Sequence, residues 1–401
     1  MYDYIIIGGG ISGLYMNYLL KNKITLLLEK NSYLGGRAIE EKFHNTKIKL
    51  GAGIGALHNK HLLKLLKKLK IKYKIYPSTI NLAFNTQFNM EKGIEKIIKK
   101  YKKLKFYNNE DIKKLTVKQF IIKYFGKKFF IEYDRIAEYK DYHDSDLEYY
   151  IKYYDIKDHI PTPYKLLSIS WTDLITKLKN KLNKNKIKLN FKVTDIKYFS
   201  FESESYYLIN NKYKTKNIIS ALTLNPLQNI INKTNFIKID YNHYLGTVPF
   251  MRIYTYHKNG HNLDKVLQRY NIVDNELEKI IIMDEKVLMF SYSDNKNAEK
   301  LYKLYNKNKT NFKNILIKLL KDIIKTSEND FDIEIDDLKI AYWKEGIHYF
   351  KPQKNIKLRK IVKLLSNPHD NFYVIGEMLS FKQGWVEGCI KSADSLISLI
   401  K

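Results

Sequence analysis

The chain begins MYDYIIIGGGISG (residues 1–13), in which the apolar stretch Tyr4–Ile7 runs directly into Gly8, Gly10 and Gly13 at GxGxxG spacing. Glycine at these places allows a tight turn, a close approach of the backbone to a pyrophosphate, and close packing of a helix on the strand. Free N–H groups and the positive end of the helix dipole would then face the phosphates. These residues predict a strand, a turn and a helix that together bind a dinucleotide.

The next segment agrees with this prediction. An amphipathic stretch over residues 14–20 leads to a second apolar strand, residues 24–28, which ends in Glu29. An acidic residue about 20 positions beyond the glycines is expected to hold a ribose hydroxyl. A carboxylate there favours an unphosphorylated ribose, so we expect FAD or NAD rather than NADP. The alternative is that Glu29 is only a solvated strand end.

The chain is strongly basic, with a formal net charge of +29 at pH 7. Five of its 71 Lys and Arg residues are arginines, the side chain on which base recognition and bidentate phosphate contacts depend. Scattered lysine beside abundant Asn, Ile and Tyr favours the residue usage of an AT-rich genome. A nonspecific contact with a polyanion is the alternative.

Cysteine usage and hydropathy bear on the location. The single cysteine, Cys389, excludes an internal disulfide and suits a reducing compartment. No apolar run reaches the ~18 residues that a membrane-spanning helix needs. We therefore expect no transmembrane segment and a cytoplasmic or other reducing intracellular location, with packaging in a virion as the alternative.

Periodicity predicts the other elements. They are a leucine-striped helix over residues 62–69, mostly helices over 76–159, strands over 187–198 and 206–219, an antiparallel sheet over 244–343 with a helical insertion at 298–326, and a C-terminal strand, loop and helix. Four carboxylates, Asp141, Asp144, Asp146 and Glu148, match no metal-ligand template. We expect a solvated acidic face there and no metal site.

Four separated segments match one known pattern. They are IIIGGGISG at residues 5–13, LLLEK followed by GGR within residues 26–37, LGAGIG at residues 50–55, and YVIGE followed by GWVEGCIKSA within residues 373–393. In these segments the chain resembles the flavin-containing amine oxidase superfamily, which holds monoamine and polyamine oxidases, L-amino-acid oxidases and protoporphyrinogen oxidase. Weaker matches at SWTDLITKL, VTDI and NIISAL extend the likeness through the middle of the chain.

The resemblance implies an α/β fold in which a Rossmann-like FAD-binding domain is interleaved with an α+β substrate domain, an antiparallel sheet flanked by helices. A chain of 401 residues exceeds what one core usually supports, and no Gly/Ser or Pro tract marks a linker. The expected FAD-binding domain comprises residues 1–75, 163–235 and 366–401, and the substrate-binding domain comprises residues 76–162 and 236–365.

The resemblance also implies a FAD site. Glu29 would hold the adenosine ribose, Arg37 would lie near the pyrophosphate, and Val193 would offer backbone groups to the adenine. The residues expected at the cofactor are Gly8, Gly10, Ile11, Ser12, Gly13, Glu29, Lys30, Gly36, Arg37, Gly51, Ala52, Gly53, Ile54, Val193, Gly376, Glu377, Trp385 and Val386. Residues 341–352, where monoamine oxidases place a tethering cysteine, hold none, so the FAD is expected to be noncovalent.

Three residues are expected to serve the chemistry. Trp385 would form one wall of a cage that orients the substrate nitrogen. Arg252 stands at the best match to a lysine that binds a water against flavin N5 in many family members; since arginine keeps its proton, it would fix a water or an anionic substrate group. His348, with Tyr349, is a candidate for the opposite wall, and a purely structural histidine is the alternative.

The leading hypothesis is FAD-dependent oxidation of a small-molecule amine, with hydride transfer from its α-carbon to flavin N5 and molecular oxygen as the acceptor. A second hypothesis keeps the fold and replaces the amine with an acidic substrate, as in a protoporphyrinogen oxidase or desaturase, which would suit Arg252. A third is a non-catalytic flavoprotein-fold component of a virion or nucleic-acid complex.

Overall fold

A computed structural model of the protein describes residues 1–77, 79–107, 110–160, 165–182, 186–202, 204–324 and 333–400. The strands are β1 (Tyr2–Ile7), β2 (Thr25–Leu28), β3 (Glu40–Phe43), β4 (Thr46–Lys49), β5 (Gly55–Ala56), β6 (Tyr73–Pro77), β7 (Asn81–Leu82), β8 (Lys165–Ile169), β9 (Ile187–Lys188), β10 (Ile196–Ser200), β11 (Ser205–Ile209), β12 (Tyr213–Ser220), β13 (Leu245–Tyr256), β14 (Tyr270–Ile272), β15 (Lys279–Ile282), β16 (Val287–Asp294), β17 (Asp337–Phe350) and β18 (Phe372–Val374). The α-helices are α1 (Ile11–Leu19), α2 (Lys60–Lys68), α3 (Met90–Phe106), α4 (Val117–Ile136), α5 (Leu147–Lys152), α6 (Trp171–Asn180), α7 (Leu224–Ile231), α8 (Tyr241–Tyr244), α9 (Asn295–Lys307), α10 (Phe312–Ile323), α11 (Leu358–Ser366) and α12 (Val386–Ile397).

The N-terminal motif forms the centre of a seven-stranded sheet. Its strand order is β10-β11-β12-β1-β2-β9, and β18 also pairs with β12. β1 runs parallel to both of its neighbours, with Ile5 opposite Ile218 and Leu26. Ile6 packs in a core with α1, α6 and α12, whereas Ile5 and Ile7 pack in a second core with α7 and α11. Helices cover both faces of this sheet, so the predicted α/β fold with a Rossmann-like unit is confirmed.

A second sheet has six strands in the order β17-β13-β16-β15-β14-β7. Its strands are antiparallel to their neighbours, apart from the parallel pair β14 and β7. Met251 and Ile253 of β13 pack with Leu301 of α9 and Leu316 of α10 in one core. The antiparallel sheet flanked by helices is therefore present, and the predicted helical insertion forms part of its cover.

Some predicted elements differ in extent. Residues 187–198 form two short strands, because the segment between them follows the end of β2, where the Phe191 N–H donates to the Glu29 carbonyl at 2.8 Å. The insertion begins at Asn295 and consists of two helices, and its predicted end at residues 325–326 lies outside the described residues. The predicted domain boundary between residues 162 and 163 also lies outside them, so the division into domains stays a prediction.

The expected solvated acidic face is wrong for two of its four members. Asp146 is buried and caps α5, its carboxylate accepting from the Tyr149 N–H at 2.7 Å. Asp141 is also buried and accepts from the Tyr154 hydroxyl at 2.6 Å. The segment lies between α4 and α5 and turns these two side chains inward, whereas Asp144 is exposed.

Within the described ranges, no helix is both long enough and apolar enough to cross a membrane.

Candidate cofactor and substrate site

A cavity of about 1660 Å³ is lined by residues of both sheets and of the α1 and α12 N-termini. This volume exceeds the roughly 300–1,000 Å³ of an ordinary small-molecule site. It is lined by every predicted site residue but Gly13: Gly8, Gly10, Ile11, Ser12, Glu29, Lys30, Gly36, Arg37, Gly51, Ala52, Gly53, Ile54, Val193, Arg252, His348, Gly376, Glu377, Trp385 and Val386. The sequence motifs from the two ends of the chain thus meet at one site.

Gly8, Gly10 and Gly13 are glycines for different structural reasons. Gly8 has a φ of +105°, a conformation that side chains other than glycine rarely adopt. A Cβ on Gly13 would lie 2.0 Å from the Gly8 carbonyl oxygen, so Gly13 serves helix packing. A Cβ on Gly10 would meet no atom of the described part of the chain within 4 Å and would project into the cavity. Only Gly10 of these three is free of a steric requirement from the protein itself, which is the pattern expected where a ligand approaches the backbone.

Glu29 is fixed by backbone N–H groups of the surrounding loops. Its Oε2 accepts from the Gly9 N–H at 2.6 Å, and its Oε1 accepts from the Asn31 N–H at 2.8 Å. The alternative of a solvated strand end is wrong, because the side chain is buried and lines the cavity. Its predicted contact with a ribose hydroxyl stays a prediction.

Arg37 and Glu377 form an ion pair at the cavity wall, with Arg37 Nη2 lying 3.0 Å from Glu377 Oε2. The second carboxylate oxygen, Oε1, accepts from the Gly384 N–H at 2.9 Å and from the His348 N–H at 3.1 Å. Burial would raise the pKa of Glu377, but His348 and Arg37 hold that pKa well below its ordinary range. The carboxylate therefore remains charged and connects β17, the GGR loop and the start of the C-terminal segment.

His348 contributes to this network from behind Glu377. Its Nδ1 lies 2.6 Å from Glu377 Oε2, and its Nε2 accepts from the Leu224 N–H at 3.4 Å. Both ring nitrogens are thus engaged, which favours a positioning role; a catalytic role stays a prediction. Tyr349 does not line the cavity, and its ring lies against Gly246.

Trp385 is half-buried at the cavity wall, immediately before α12. Among the described residues, no side chain caps the N-terminus of that helix, so its first N–H groups are available to a ligand. The His58 ring meets the Trp385 ring edge-on, with 6.4 Å between ring centroids. An aromatic wall therefore stands next to a helix N-terminus, as the resemblance implies.

Alternation along β13 brings Arg252 to the cavity. Phe250, Arg252 and Tyr254 line the cavity, whereas Met251 and Ile253 face the helices on the other side. Arg252 is only 3% exposed, and its guanidinium carbon lies 4.4 Å from the centroid of the Tyr292 ring. Its Nη1 donates to the Lys49 carbonyl at 2.8 Å. The sequence prediction of Arg252 at the candidate site thus agrees with its position.

Sequence reasoning missed several polar side chains that line the same cavity. They are Lys49, Glu138, Asp141 and Gln383. Within the described ranges, Glu138 Oε2, Gln383 Oε1 and Arg252 Nε are buried without a hydrogen-bonding partner. Unpaired buried polar atoms are rare in proteins, and these three belong to side chains that line the cavity. Lys49 and Gln383 directly precede the LGAGIG and GWVEGCIKSA motifs, so their positions carried a signal, whereas Glu138 and Asp141 lie next to no motif.

Comparisons with known proteins agree with this geometry. The NAD(P)-binding Rossmann-like domain family matches residues 6–69. Over 65 residues the chain is 32% identical to an uncharacterized protein of Acanthamoeba polyphaga mimivirus, a match that spans 16% of this chain and 13% of that protein.

Two solved structures are similar over the whole chain. A putrescine oxidase bound to putrescine is 14% identical with a TM-score of 0.73, and the match covers 100% of this chain and 98% of that one. A cyclohexylamine oxidase from Brevibacterium oxydans is 14% identical with a TM-score of 0.75, covering 100% and 99%. The chain therefore shares its fold with these two oxidases from its first strand to its last helix.

Proposed function

We propose that this protein is an FAD-dependent oxidoreductase that oxidises a C–N bond of a small amine. The observation that carries the proposal is that the GxGxxG turn and Trp385 line one cavity. A dinucleotide at the α1 N-terminus and a substrate beside Trp385 would thus occupy connected space. The putrescine and cyclohexylamine oxidases that share the fold support this choice of reaction class.

The residues present fit FAD. Gly10 leaves open space next to the uncapped N-terminus of α1, whose N–H groups suit a phosphate. Arg37 has a side chain that is partly exposed at the cavity and is oriented by Glu377, so it can add a charge-assisted contact to the pyrophosphate. Glu29 offers a carboxylate at the end of β2, where a ribose would lie. The described residues present no cysteine at 341–352, which supports noncovalent binding.

Bound FAD would supply the two-electron oxidation by accepting a hydride from the carbon next to the substrate nitrogen, with molecular oxygen as the proposed final acceptor. The protein's part is to bind, orient and exclude water. Trp385 would hold the neutral amine against its ring face, and the uncapped α12 N-terminus would stabilise negative charge that develops nearby. The Glu377 network would keep Arg37 and the Gly384 backbone in place.

The test is a reconstitution followed by an anaerobic substrate screen. The protein is loaded with FAD and mixed without oxygen with monoamines, diamines, polyamines, amino acids and a porphyrinogen, while the visible flavin absorption is recorded. We expect at least one amine to bleach the flavin, and acid treatment to release the FAD intact. Failure of every amine to bleach a fully loaded protein would reject the proposed reaction, and failure to take up FAD would reject the cofactor.

A further inference from the structure

Two cationic side chains lie together in the cavity, Arg252 and Lys49. The Arg252 guanidinium donates to the Lys49 carbonyl, and the Lys49 ammonium donates to the Gly53 carbonyl at 2.6 Å. Gly53 also adjoins the guanidinium, because a Cβ built on it would lie 2.9 Å from Arg252 Nη2. The two positive groups thus flank the backbone of Gly53 at the cavity wall.

Neither cation has a carboxylate partner within salt-bridge distance among the described residues. Glu40 is the acid that acts on Lys49, but its Oε2 is already paired with Lys47 at 2.9 Å and accepts from the Ser170 hydroxyl at 3.1 Å. Arg252 instead contacts the phenol groups of Tyr254 and Tyr292, and its Nε has no partner in the described part of the chain. Arg252 is buried and Lys49 is half-buried, and two neighbouring cations with little access to water and no anion are costly.

The positive charges of Arg252 and Lys49 repel each other, and a bound anion would reduce this repulsion. Burial, together with the nearby positive charges of Arg252 and Lys47, lowers the pKa of Lys49 to about 8. The phenols beside Arg252 keep its pKa raised despite burial. At neutral pH both groups are therefore positive, and an anion between them would remove the repulsion. A guanidinium suits such an anion because its N–H groups match the two oxygens of a carboxylate.

We infer that Arg252 and Lys49 form a receptor for a carboxylate of the substrate, so that the oxidised molecule carries an anionic group besides its C–N bond. This inference rests on the proposed function and narrows its substrate class to amino carboxylates. The features that fit the cofactor phosphates, Gly10 and the α1 N-terminus, belong to other elements. The cation pair lies on β4 and β13, which carry neither of those features.

The first experiment measures binding and needs no turnover. Benzoate and benzamide have the same shape and differ in charge, and each is titrated into the FAD-loaded protein while the flavin spectrum is followed. The same pair is tested by thermal shift on the protein without FAD. We expect benzoate to bind at least about tenfold more tightly, as a hydrogen bond to a charged group implies. Equal binding of the two probes would overturn the inference, as would preference for phenylphosphonate with no preference for benzoate.

Substitutions of Arg252 and Lys49 test whether these two residues cause the preference for benzoate over benzamide. Arg252→Met and Lys49→Met should each weaken benzoate binding by roughly ten- to a hundredfold and leave benzamide binding within about twofold. The matched controls are Arg359→Met and Lys42→Met, which remove exposed cations outside the cavity and should change neither. Arg252→Lys keeps the charge and should retain part of the preference. The inference would be contradicted if the two variants lost benzoate binding and benzamide binding equally. It would also be contradicted if Lys49→Met and Arg252→Met kept the wild-type preference for benzoate.

Substrate pairs extend the test to the reaction. Ornithine and putrescine, or phenylalanine and 2-phenylethylamine, differ only in the α-carboxylate. We expect the acid of a pair to reduce the flavin faster in the wild type, and this difference to shrink in Lys49→Met. If amines without a carboxylate reduce the flavin equally well or better, the inference fails while the proposed function stands. If nothing reduces it but benzoate still binds selectively, the proposed function fails while the anion site stands.

Discussion

Arg37 and Glu377 are 340 residues apart in the sequence, yet Arg37 Nη2 lies 3.0 Å from Glu377 Oε2 at the cavity wall. Arg37 also donates to the Gly346 carbonyl, so it joins the N-terminal loop to β17 as well. Through this pair the two terminal segments of the chain hold each other in place around the candidate site.

Replacing the carboxylate should destabilise the protein. Glu377→Gln removes the partner of Arg37 and one acceptor of the His348 ring, and because the Glu377 carboxylate is itself buried, losing these contacts should cost about 3 kcal/mol or more. The matched control is Glu41→Gln, which breaks a more exposed pair with Lys339 and should cost less than about 1 kcal/mol. Urea unfolding measures both. Equal losses would contradict the assignment of Glu377 as the centre of the network.

Glu377 also predicts a loss of stability in acid. Its pKa in the folded state lies well below the ordinary 4.5, chiefly because His348 and Arg37 oppose the effect of burial. A lowered carboxyl pKa contributes stability that is present above the ordinary pKa and is lost as the pH falls below it. The unfolding free energy of the wild type should therefore fall more steeply below pH 4.5 than that of Glu377→Gln. If the unfolding free energies of the wild type and of Glu377→Gln changed in parallel with pH, the proposed role of Glu377 in the network would be wrong.

Gly10 and Gly13 should respond in opposite ways to alanine. Gly10→Ala places a methyl group in open cavity space and should leave the unfolding free energy within about 0.5 kcal/mol of wild type while weakening FAD binding at least tenfold. Gly13→Ala sets a methyl group against the Gly8 carbonyl and should destabilise the protein without FAD by about 1 kcal/mol or more. Urea unfolding and flavin titration separate the two effects. Normal FAD binding by Gly10→Ala would argue against a cofactor at the first turn.

Lys49→Met should stabilise the ligand-free protein at pH 7 by about 1 kcal/mol, since a half-buried cation without a carboxylate partner is replaced by an apolar chain of similar length. The pKa of Lys49 is lowered from 10.5 to about 8, chiefly by burial. The cost of its charge is therefore present below pH 8 and disappears as the pH rises toward 10.5. The gap between variant and wild type in thermal unfolding should narrow across that window. A gap that does not change with pH would contradict this account of the lysine.

The elements that the sequence predicted well are those whose cause is local. The turn at Gly8 and the apolar run of β1 follow from glycine conformation and strand propensity, so a segment of a few residues is enough to predict them. The sequence did not predict that residues 187–198 form two separate strands, because this depends on the hydrogen bond from the Phe191 N–H to the Glu29 carbonyl across the sheet edge. Contacts between distant segments leave no periodic trace in either segment.

At the candidate site, too, the sequence did not predict features that depend on contacts between distant segments. Arg252 was predicted because a resemblance marked its position, whereas Glu138 belongs to no motif and reaches the cavity only through the packing of the segment after α4. Asp141 was assigned to a solvated face because acidic clusters usually are exposed, and its burial depends on Tyr154 and on the turn into α5. Burial of a polar residue is a tertiary property, which composition and spacing do not record.

The most direct measurement is an anaerobic reaction of the FAD-loaded protein with its best amine, in which flavin reduction and products are quantified together. We expect one flavin to be reduced for each molecule of carbonyl product and of ammonia released after hydrolysis of the imine. Flavin that stays oxidised with every amine, or flavin reduced with the C–N bond intact and a new C=C bond in the product, would contradict the proposed oxidation of an amine.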